Sequence, residues 1–295
     1  CVCNFAFMRT ELRNEIAKYL PEGIKSISPV SGGDILEAFQ IVTLSGKSYF
    51  CKVNNSAFAD ALFEAEETGL LEISKSGVIA TPRLLARGNT SSESFLLMEY
   101  ISSKRAEPAD MRRFGEELAA MHQIHTDSFG LSSNNFIGSL PQRNQKHSNW
   151  TDFYLLERLL PQLKLARDQG ALSRNDIPSE DVVWHKLAQL FPEVKPSLLH
   201  GDLWSGNYLI STTSVPYLID PATYYGHYEV DLAMSKLFGG FSTAFYESHQ
   251  EHLPTEREFE ARTDIYQLYY LLVHLNLFGA SYYSTVSGII KRYFR

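Results

Sequence analysis

Leu198-Leu199-His200-Gly201-Asp202-Leu203-Trp204-Ser205-Gly206-Asn207-Tyr208-Leu209-Ile210 is followed by Tyr217-Leu218-Ile219-Asp220-Pro221. Apolar runs flank a polar centre, and Ser211-Thr212-Thr213-Ser214 separates the last two of them. The pattern predicts strand, loop, strand, turn, strand. A hairpin of this kind returns Asp220 to the side of Asn207, so that oxygens from both can reach one cation. Phosphoryl transfer needs a carboxylate to hold the acceptor hydroxyl and oxygen ligands to hold Mg²⁺ on nucleotide phosphates. Asp202 fits the first role, and Asn207 and Asp220 fit the second. Asx side chains also cap turns locally, but turn-capping alone leaves the upstream half of the chain unexplained.

In protein kinases the catalytic-loop Asp precedes a Mg²⁺-binding Asn by five positions, with a second metal-binding Asp beyond the next strand. Asp202, Asn207 and Asp220 keep that spacing and order. Upstream, Ser31-Gly32-Gly33-Asp34 joins Ile27–Val30 to the strand Ile35–Leu44, and Gly32 and Gly33 let backbone N–H groups approach phosphate oxygens. Two glycines alone are also an ordinary turn. The next strand, Lys47–Val53, alternates Lys52 with apolar neighbours, as a phosphate-binding lysine does. A strand lysine taken alone is as consistent with a solvated face.

Residues Phe58 to Ile73 have helical periodicity, and Glu66, four residues before Leu70, shares the packed face. Glu66 is therefore the expected partner of Lys52, with Glu64 and Glu67 solvated. Ala80–Ala86 and Ser94–Ile101 read as two further strands. The second ends where backbone groups of Glu99 and Ile101 are placed to bond an adenine edge. Downstream, Gly226–Met234 starts a helix with Asp231 as the expected N-cap, from where it can also hold the loop backbone. Helices are expected at Asp110–His125, Asn149–Leu165, Glu256–Phe278 and Ala280–Phe294. His122 and His125 are read as surface or capping residues, and Tyr266, Tyr269 and Tyr270 as core, with an acceptor-cleft lining as the alternative for a few of the tyrosines.

The chain resembles the fructosamine/ketosamine-3-kinase family, related to aminoglycoside phosphotransferases and choline kinases within the protein-kinase-like fold. The resemblance rests on His200–Asn207, on Ile219-Asp220-Pro221-Ala222 and on Gly226-His227 with Glu229–Met234. Phe50–Asn54, Phe63–Glu66, Asn135–Gly138, Gln142, Asn144, Trp150, Phe153 and Arg158 agree with it as well. It implies an α+β, bilobal molecule: a small antiparallel-sheet lobe (1–100) that binds nucleotide and a mainly helical lobe (101–295) for catalysis and acceptor binding.

The implied activity is ATP- and Mg²⁺-dependent phosphorylation of a sugar hydroxyl, the 3-hydroxyl, of fructosamines or ribulosamines. The acceptor would be a small-molecule or protein-linked ketosamine. By the same resemblance Asp202 is the catalytic base, Asn207 and Asp220 are metal ligands, Lys52 braced by Glu66 binds phosphate, and Trp204 lies against the sugar. An aminoglycoside- or choline-type acceptor, or a non-catalytic nucleotide-binding module, are the competing readings. Two positions depart from the family: Tyr228 stands where Arg is usual, and the glycine-rich turn carries Asp34 and lacks the cysteine found in some eukaryotic members.

Composition sets the remaining bounds. With 295 residues, 44% of them hydrophobic, the chain is long enough for two lobes with their own cores. A net charge of −7 gives no electrostatic footprint for nucleic acid or an anionic membrane. No apolar run reaches the roughly 18 residues needed to span a bilayer, and the first eight residues read as an irregular leader. Cysteines at positions 1, 3 and 51 form no disulfide or zinc pattern, which points to a reducing cytoplasm.

Overall fold

The structure is a computed structural model that describes residues 8–30 and 37–295. The expected phosphate-loop glycines Gly32 and Gly33 lie outside the described residues. Helix α1 (Thr10–Ala17) precedes strands β1 (Ile24–Pro29), β2 (Glu37–Thr43) and β3 (Ser48–Asn54). Helix α2 (Ala59–Ser76) then leads to β4 (Leu84–Asn89) and β5 (Ser94–Glu99). These five strands form one sheet in the order β1-β2-β3-β5-β4. The two-residue period of a strand divides its side chains between two layers. Tyr49, Cys51, Val53, Phe95 and Leu97 pack with Leu12 and Ile16 of α1, whereas Leu96 and Met98 face Phe63 and Leu70 of α2. Lys52 is on the α2 side because both of its β3 neighbours belong to the α1 side.

The strand expected at Ala80–Ala86 begins later, at Leu84. Ala80 instead forms a bridge with Tyr217, and Pro82, which has no N–H to donate, separates the two pairings. Helix α2 runs past the expected Ile73 to Ser76 and stops at Gly77, which takes the left-handed conformation at φ 69°.

The remainder is mainly helical. The two-residue strand β6 (Ser103–Lys104) precedes α3 (Pro108–His122), the hairpin β7 (Asn135–Ile137) and β8 (Leu140–Gln142), and α4 (Trp150–Tyr154). Then come α5 (Leu160–Asp168), α6 (Glu180–Leu190), β9 (Ser197–Leu199), β10 (Tyr208–Ser211), β11 (Pro216–Leu218) and β12 (Tyr224–Gly226). The chain closes with α7 (Glu229–Leu237), α8 (Thr243–His252), α9 (Phe259–Phe278) and α10 (Tyr283–Phe294). The single helix expected at Asn149–Leu165 is interrupted: Leu155–Leu159 form a π-helical turn between α4 and α5. The expected strand–loop–strand–turn–strand is present as β9, β10 and β11, and β10 pairs with both β11 and β6.

Helix α9 is buried nearly all round, with Tyr266, Tyr269 and Tyr270 in the main core as expected. Arg262 of α9 makes a buried two-pronged ion pair with Glu229 of α7, at 2.6 and 2.7 Å. Helices α3 and α8 meet backbone to backbone at Gly115, where a Cβ would lie 2.3 Å from the Phe245 carbonyl oxygen and 3.1 Å from the His249 nitrogen. Gly115→Val should therefore force the two helices apart and destabilise the protein by at least about 1–3 kcal/mol. Urea unfolding measures this; parental stability would show that the helices are not held at that distance.

Candidate active site

The loop between β9 and β10 is fixed from beneath. The carboxylate of Asp231, fully buried, accepts the backbone N–H groups of His200 and Gly201, both at 2.8 Å. Asp231 is inside α7 and does not cap it, since Tyr228 occupies the N-cap position. Of the two roles expected for Asp231, only the hold on the loop is realised. His122 donates from Nε2 to the same carboxylate at 3.1 Å, and its Nδ1 meets Nε2 of His249 at 2.9 Å. His122 is thus a fully buried part of the loop's support and not the surface or capping residue expected. His125 is exposed, as expected.

Gly201 sits at φ +84°, and a Cβ there would be 2.1 Å from the Ala222 carbonyl oxygen. Its own carbonyl accepts the Tyr270 hydroxyl at 2.7 Å. The His200 ring fastens the loop to the next strand, with Nε2 bonded to the Ile219 carbonyl at 2.9 Å and Nδ1 accepting the Asp202 N–H at 3.2 Å. Burial lowers the pKa of His200 and favours this neutral form.

Asn207 then closes the loop: its Nδ2 donates to the Asp202 carbonyl at 2.9 Å, to Asp202 Oδ2 at 3.2 Å and to the Asp220 carbonyl at 3.4 Å. With its N–H groups directed at these oxygens, the amide oxygen of Asn207 is left to act as a ligand. Asp220 lies just past β11 at φ 54°, a left-handed conformation uncommon outside glycine and found where a side chain must be aimed. Lys52 Nζ bonds Asp220 Oδ1 and Glu66 Oε1, the latter at 2.8 Å.

The electrostatics follow from crowding three acids and one cation. Burial raises the pKa of Asp202 to about 7, with the nearby Asp220 charge adding to the effect and the Asn207 hydrogen bond opposing it. Burial also pushes Glu66 up, to about 7, against the pull of Lys52. For Asp220 burial acts upward too, but Lys52 outweighs it and keeps this carboxyl below its ordinary value. Lys52 itself is held above its ordinary value because the two acids outweigh its own burial. The site is therefore an ammonium shared by Glu66 and Asp220 beside a third acid, Asp202, with burial raising both Glu66 and Asp202.

Lys52, Glu66, Asp202, Asn207 and Asp220 thus come together around one cavity of about 200 Å³. Other expectations are met differently. Trp204 does not line the cavity; its indole rests on Gly206, where a Cβ would be 2.3 Å from the ring, and the residue is 41% exposed. Glu99 and Ile101 end the β5 edge. The Glu99 N–H is spent on the Arg83 carbonyl, and the Ile101 N–H has no partner among the described residues. Glu64 is exposed, as expected, and Glu67 half-buried; the two flank Arg87 at 3.8 and 3.0 Å.

Sequence reasoning missed the wall opposite Lys52. Phe136, Gly138 and Ser139, at the tip of the β7–β8 hairpin, line the cavity. Phe136 and Gly138 belong to the Asn135–Gly138 block, which carried no role, and Ser139 had no sequence signal.

Among the described residues no group of three or more His, Cys, Asp or Glu could hold a metal ion alone. A Mg²⁺-nucleotide asks for less: Mg²⁺ takes one or two protein carboxylates and fills its shell with phosphate oxygens and water. Asp220 and the Asn207 amide oxygen supply a set of that size, and Lys52 adds the charge for a phosphate. The residues present fit the group.

The arrangement defines a phosphotransferase of the protein-kinase-like fold. An aminoglycoside-3'-phosphotransferase of type VIII has the same fold at TM-score 0.51, 18% identical, over 87% of this chain and 97% of that one. The chain belongs to the fructosamine kinase family, whose sequence profile matches residues 8–295. It is 39% identical to the "Probable ketoamine kinase" of Lactiplantibacillus plantarum, over 92% of this chain and 95% of that protein. It is also 39% identical to the chloroplastic protein-ribulosamine 3-kinase of Arabidopsis thaliana, over 92% and 83% respectively. The crystal structure of a Haemophilus somnus protein assigned as a fructosamine-3-kinase superposes at TM-score 0.86, 29% identical, over 97% of both chains.

Gly201→Ala tests the loop geometry. The substitution meets both a left-handed φ and the Ala222 carbonyl, so the loop must move and turnover should drop by about 10²-fold or more. Circular dichroism should show the helical content retained. An alanine variant with parental turnover would mean that the contact between Gly201 and Ala222 is not required.

Proposed function

We propose that the protein transfers the γ-phosphoryl group of ATP to a sugar hydroxyl, the 3-hydroxyl, of ketosamines. The acceptors are fructosamine or ribulosamine adducts of lysine, free or protein-linked, so that the activity is of the deglycation type. The observation that carries this reading is the meeting of Lys52, Glu66 and Asp220 with Asp202 and Asn207 in one cavity, in a chain of the fructosamine kinase family. The complete set speaks against a nucleotide-binding module without catalysis.

In this reading residues 1–100 hold the nucleotide and residues 101–295 hold the acceptor and the catalytic loop. The adenine edge lies at the end of β5, where the Glu99 carbonyl accepts and the free Ile101 N–H donates. Gly32 and Gly33 cover the phosphates. Lys52, oriented by Glu66, exchanges its hold on Asp220 for phosphate oxygens. Asn207 and Asp220 hold Mg²⁺, which neutralises the phosphate charge when bound.

Asp202 accepts the hydrogen of the acceptor hydroxyl and takes up its proton as the hydroxyl oxygen bonds to the γ-phosphorus. The bond from that phosphorus to the bridging oxygen breaks, and ADP leaves with the electron pair. Trp204 offers the exposed part of its indole to the C–H face of the sugar. No helix among the described residues is long and apolar enough to cross a membrane. With the three cysteines forming no disulfide pattern, a reducing, cytoplasmic setting is part of this proposal.

Coupled ADP-release assays with ribulose-lysine, fructose-lysine, choline and an aminoglycoside decide the acceptor class. Turnover with the two ketosamines is expected, and its loss by about 10²–10⁴-fold in Asp202→Asn with ATP binding intact. If no ketosamine is phosphorylated, the substrate assignment fails; if Asp202→Asn keeps parental turnover, the base lies elsewhere.

The role of Trp204 is read separately. Trp204→Ala should raise KM for the ketosamine and leave KM for ATP unchanged. If the indole only covers Gly206, the variant will lose stability and affinity for both substrates together. A folded variant with unchanged ketosamine kinetics rejects the stacking role.

A further inference from the structure

Arg158 is fully buried inside the π-helical turn between α4 and α5. No carboxylate among the described residues pairs with it; the neighbouring Glu157 faces Arg143 and His147 instead. Its guanidinium lies on the Tyr224 ring at 3.9 Å and near Phe153 at 4.7 Å. It donates from Nη1 to the Arg143 carbonyl and from Nη2 to Asn144 Oδ1, the latter at 2.7 Å. Its Nε has no hydrogen-bond partner among the described residues. A buried cation kept without a counter-ion costs stability. Its hydrogen bonds show where it acts.

A guanidinium can only donate. Asn144 must therefore turn its oxygen toward Arg158, and its Nδ2 then donates to Asn135 Oδ1 at 3.0 Å. Asn135 in turn donates from Nδ2 to the Thr223 carbonyl at 2.8 Å. From the other side the Tyr269 hydroxyl donates to Gln142 Oε1 at 2.6 Å. Gln142 Nε2 points at Asn135 Oδ1, at 2.8 Å, and at the Ala222 carbonyl, at 3.2 Å. The orientation of all three amides thus follows from Arg158, which cannot reverse, and the Tyr269 hydroxyl meets the oxygen that Gln142 has left to accept. The chain ends on the carbonyls of Ala222 and Thr223, just past Asp220, while the Ala222 N–H is held by the His200 carbonyl at 2.9 Å. Asn135 and Gln142 also form the base of the hairpin whose tip walls the cavity.

We propose that Arg158 is a positioning residue for phosphoryl transfer: through Asn144, Asn135 and Gln142 it fixes the segment after Asp220 and the cavity-lining β7–β8 hairpin in one register. It contacts neither substrate. The kinetic part rests on the phosphotransfer reading above, whereas the structural part can be measured without any acceptor.

The test compares Arg158→Lys, which keeps the charge but loses the planar fork, with Tyr269→Phe, which removes one hydroxyl from the other end of the chain. With a ketosamine acceptor, Arg158→Lys should lower kcat roughly 10–100-fold and Tyr269→Phe roughly 10-fold, per folded molecule and with nucleotide affinity unchanged. Amide hydrogen exchange, followed on peptides covering 218–224, should show faster exchange at Ala222 in both variants. If Arg158→Lys does not fold, Tyr269→Phe decides alone. Parental kcat together with parental exchange at Ala222 in the folded variants overturns the proposal. So does a loss of kcat fully accounted for by a lower folded fraction. If the parent phosphorylates no ketosamine but exchange at Ala222 rises in the variants, the substrate reading fails and the positioning role stands.

Discussion

Everything at the site hangs from one buried carboxylate. Asp231 takes the consecutive N–H groups of His200 and Gly201 on its two oxygens, and His122 adds a third donor. Burying an ionised carboxylate is costly unless its lone pairs are filled, and here the fillers are the loop backbone itself. A loop that moved away would leave a naked charge in the core, so the cost of burial becomes the restoring force on the loop. Gly201 fits beneath because it has no Cβ to meet Ala222, and Tyr270 bonds the remaining carbonyl. Asp202 is therefore presented to the cavity by a backbone that has no alternative set of partners.

The second constraint is charge balance across the cavity. Among the described residues Lys52 is the one cation lining it, and it is shared by Glu66 and Asp220. The two acids are not equivalent. Glu66 is almost enclosed, whereas the Asp220 side chain is 41% exposed and faces the cavity. Under the proposed function a nucleotide with its cation would offer both partners a replacement: phosphate oxygens for Lys52 and a metal for Asp220. The third acid, Asp202, stands apart from this ion-pair set, fastened to Asn207.

The legible part of this arrangement was the part written on single elements. Asp202, Asn207 and Asp220 occupy one strand–loop–strand stretch, and Lys52 and Glu66 are singled out by the two-residue period of β3 and the four-residue step to Leu70 on α2. Short-range periodicity decides such positions. What could not be read depends on contacts between distant segments. Asp231 reads both as a helix cap and as a hold on the loop, and which role is realised is decided by partners some thirty residues upstream. His122 reads as a surface residue because its burial is created by α8, which comes within reach only where Gly115 lets the helices touch. The acids facing Arg87 and the hairpin wall at Phe136–Ser139 were hidden for the same reason. The break in the expected helix at Asn149–Leu165 has a local signal in Pro161, which has no N–H to donate to the preceding turn and sits in the first turn of α5 just past the π turn.

Helix α2 explains why the two halves of the site stay in register. On one side Phe63 and Leu70 pack on Leu96 and Met98 of the sheet; further along, Ile73 packs with Phe114 and Leu118 of α3. Between these, Gly69 lies so near Pro221 and Thr223 that a Cβ would be 3.0 and 3.1 Å from them, and Glu72 accepts the Tyr225 hydroxyl at 3.1 Å. The helix that aims Glu66 at Lys52 therefore also leans on the residues that follow Asp220. A shift of α2 large enough to part Glu66 from Lys52 would have to unseat Pro221 and Thr223, whose carbonyl neighbours are already claimed by Asn135 and Gln142. Lys52, its partner Glu66 and Asp220 are thus coupled through close packing, and the coupling needs no single strong bond between the sheet and the helices.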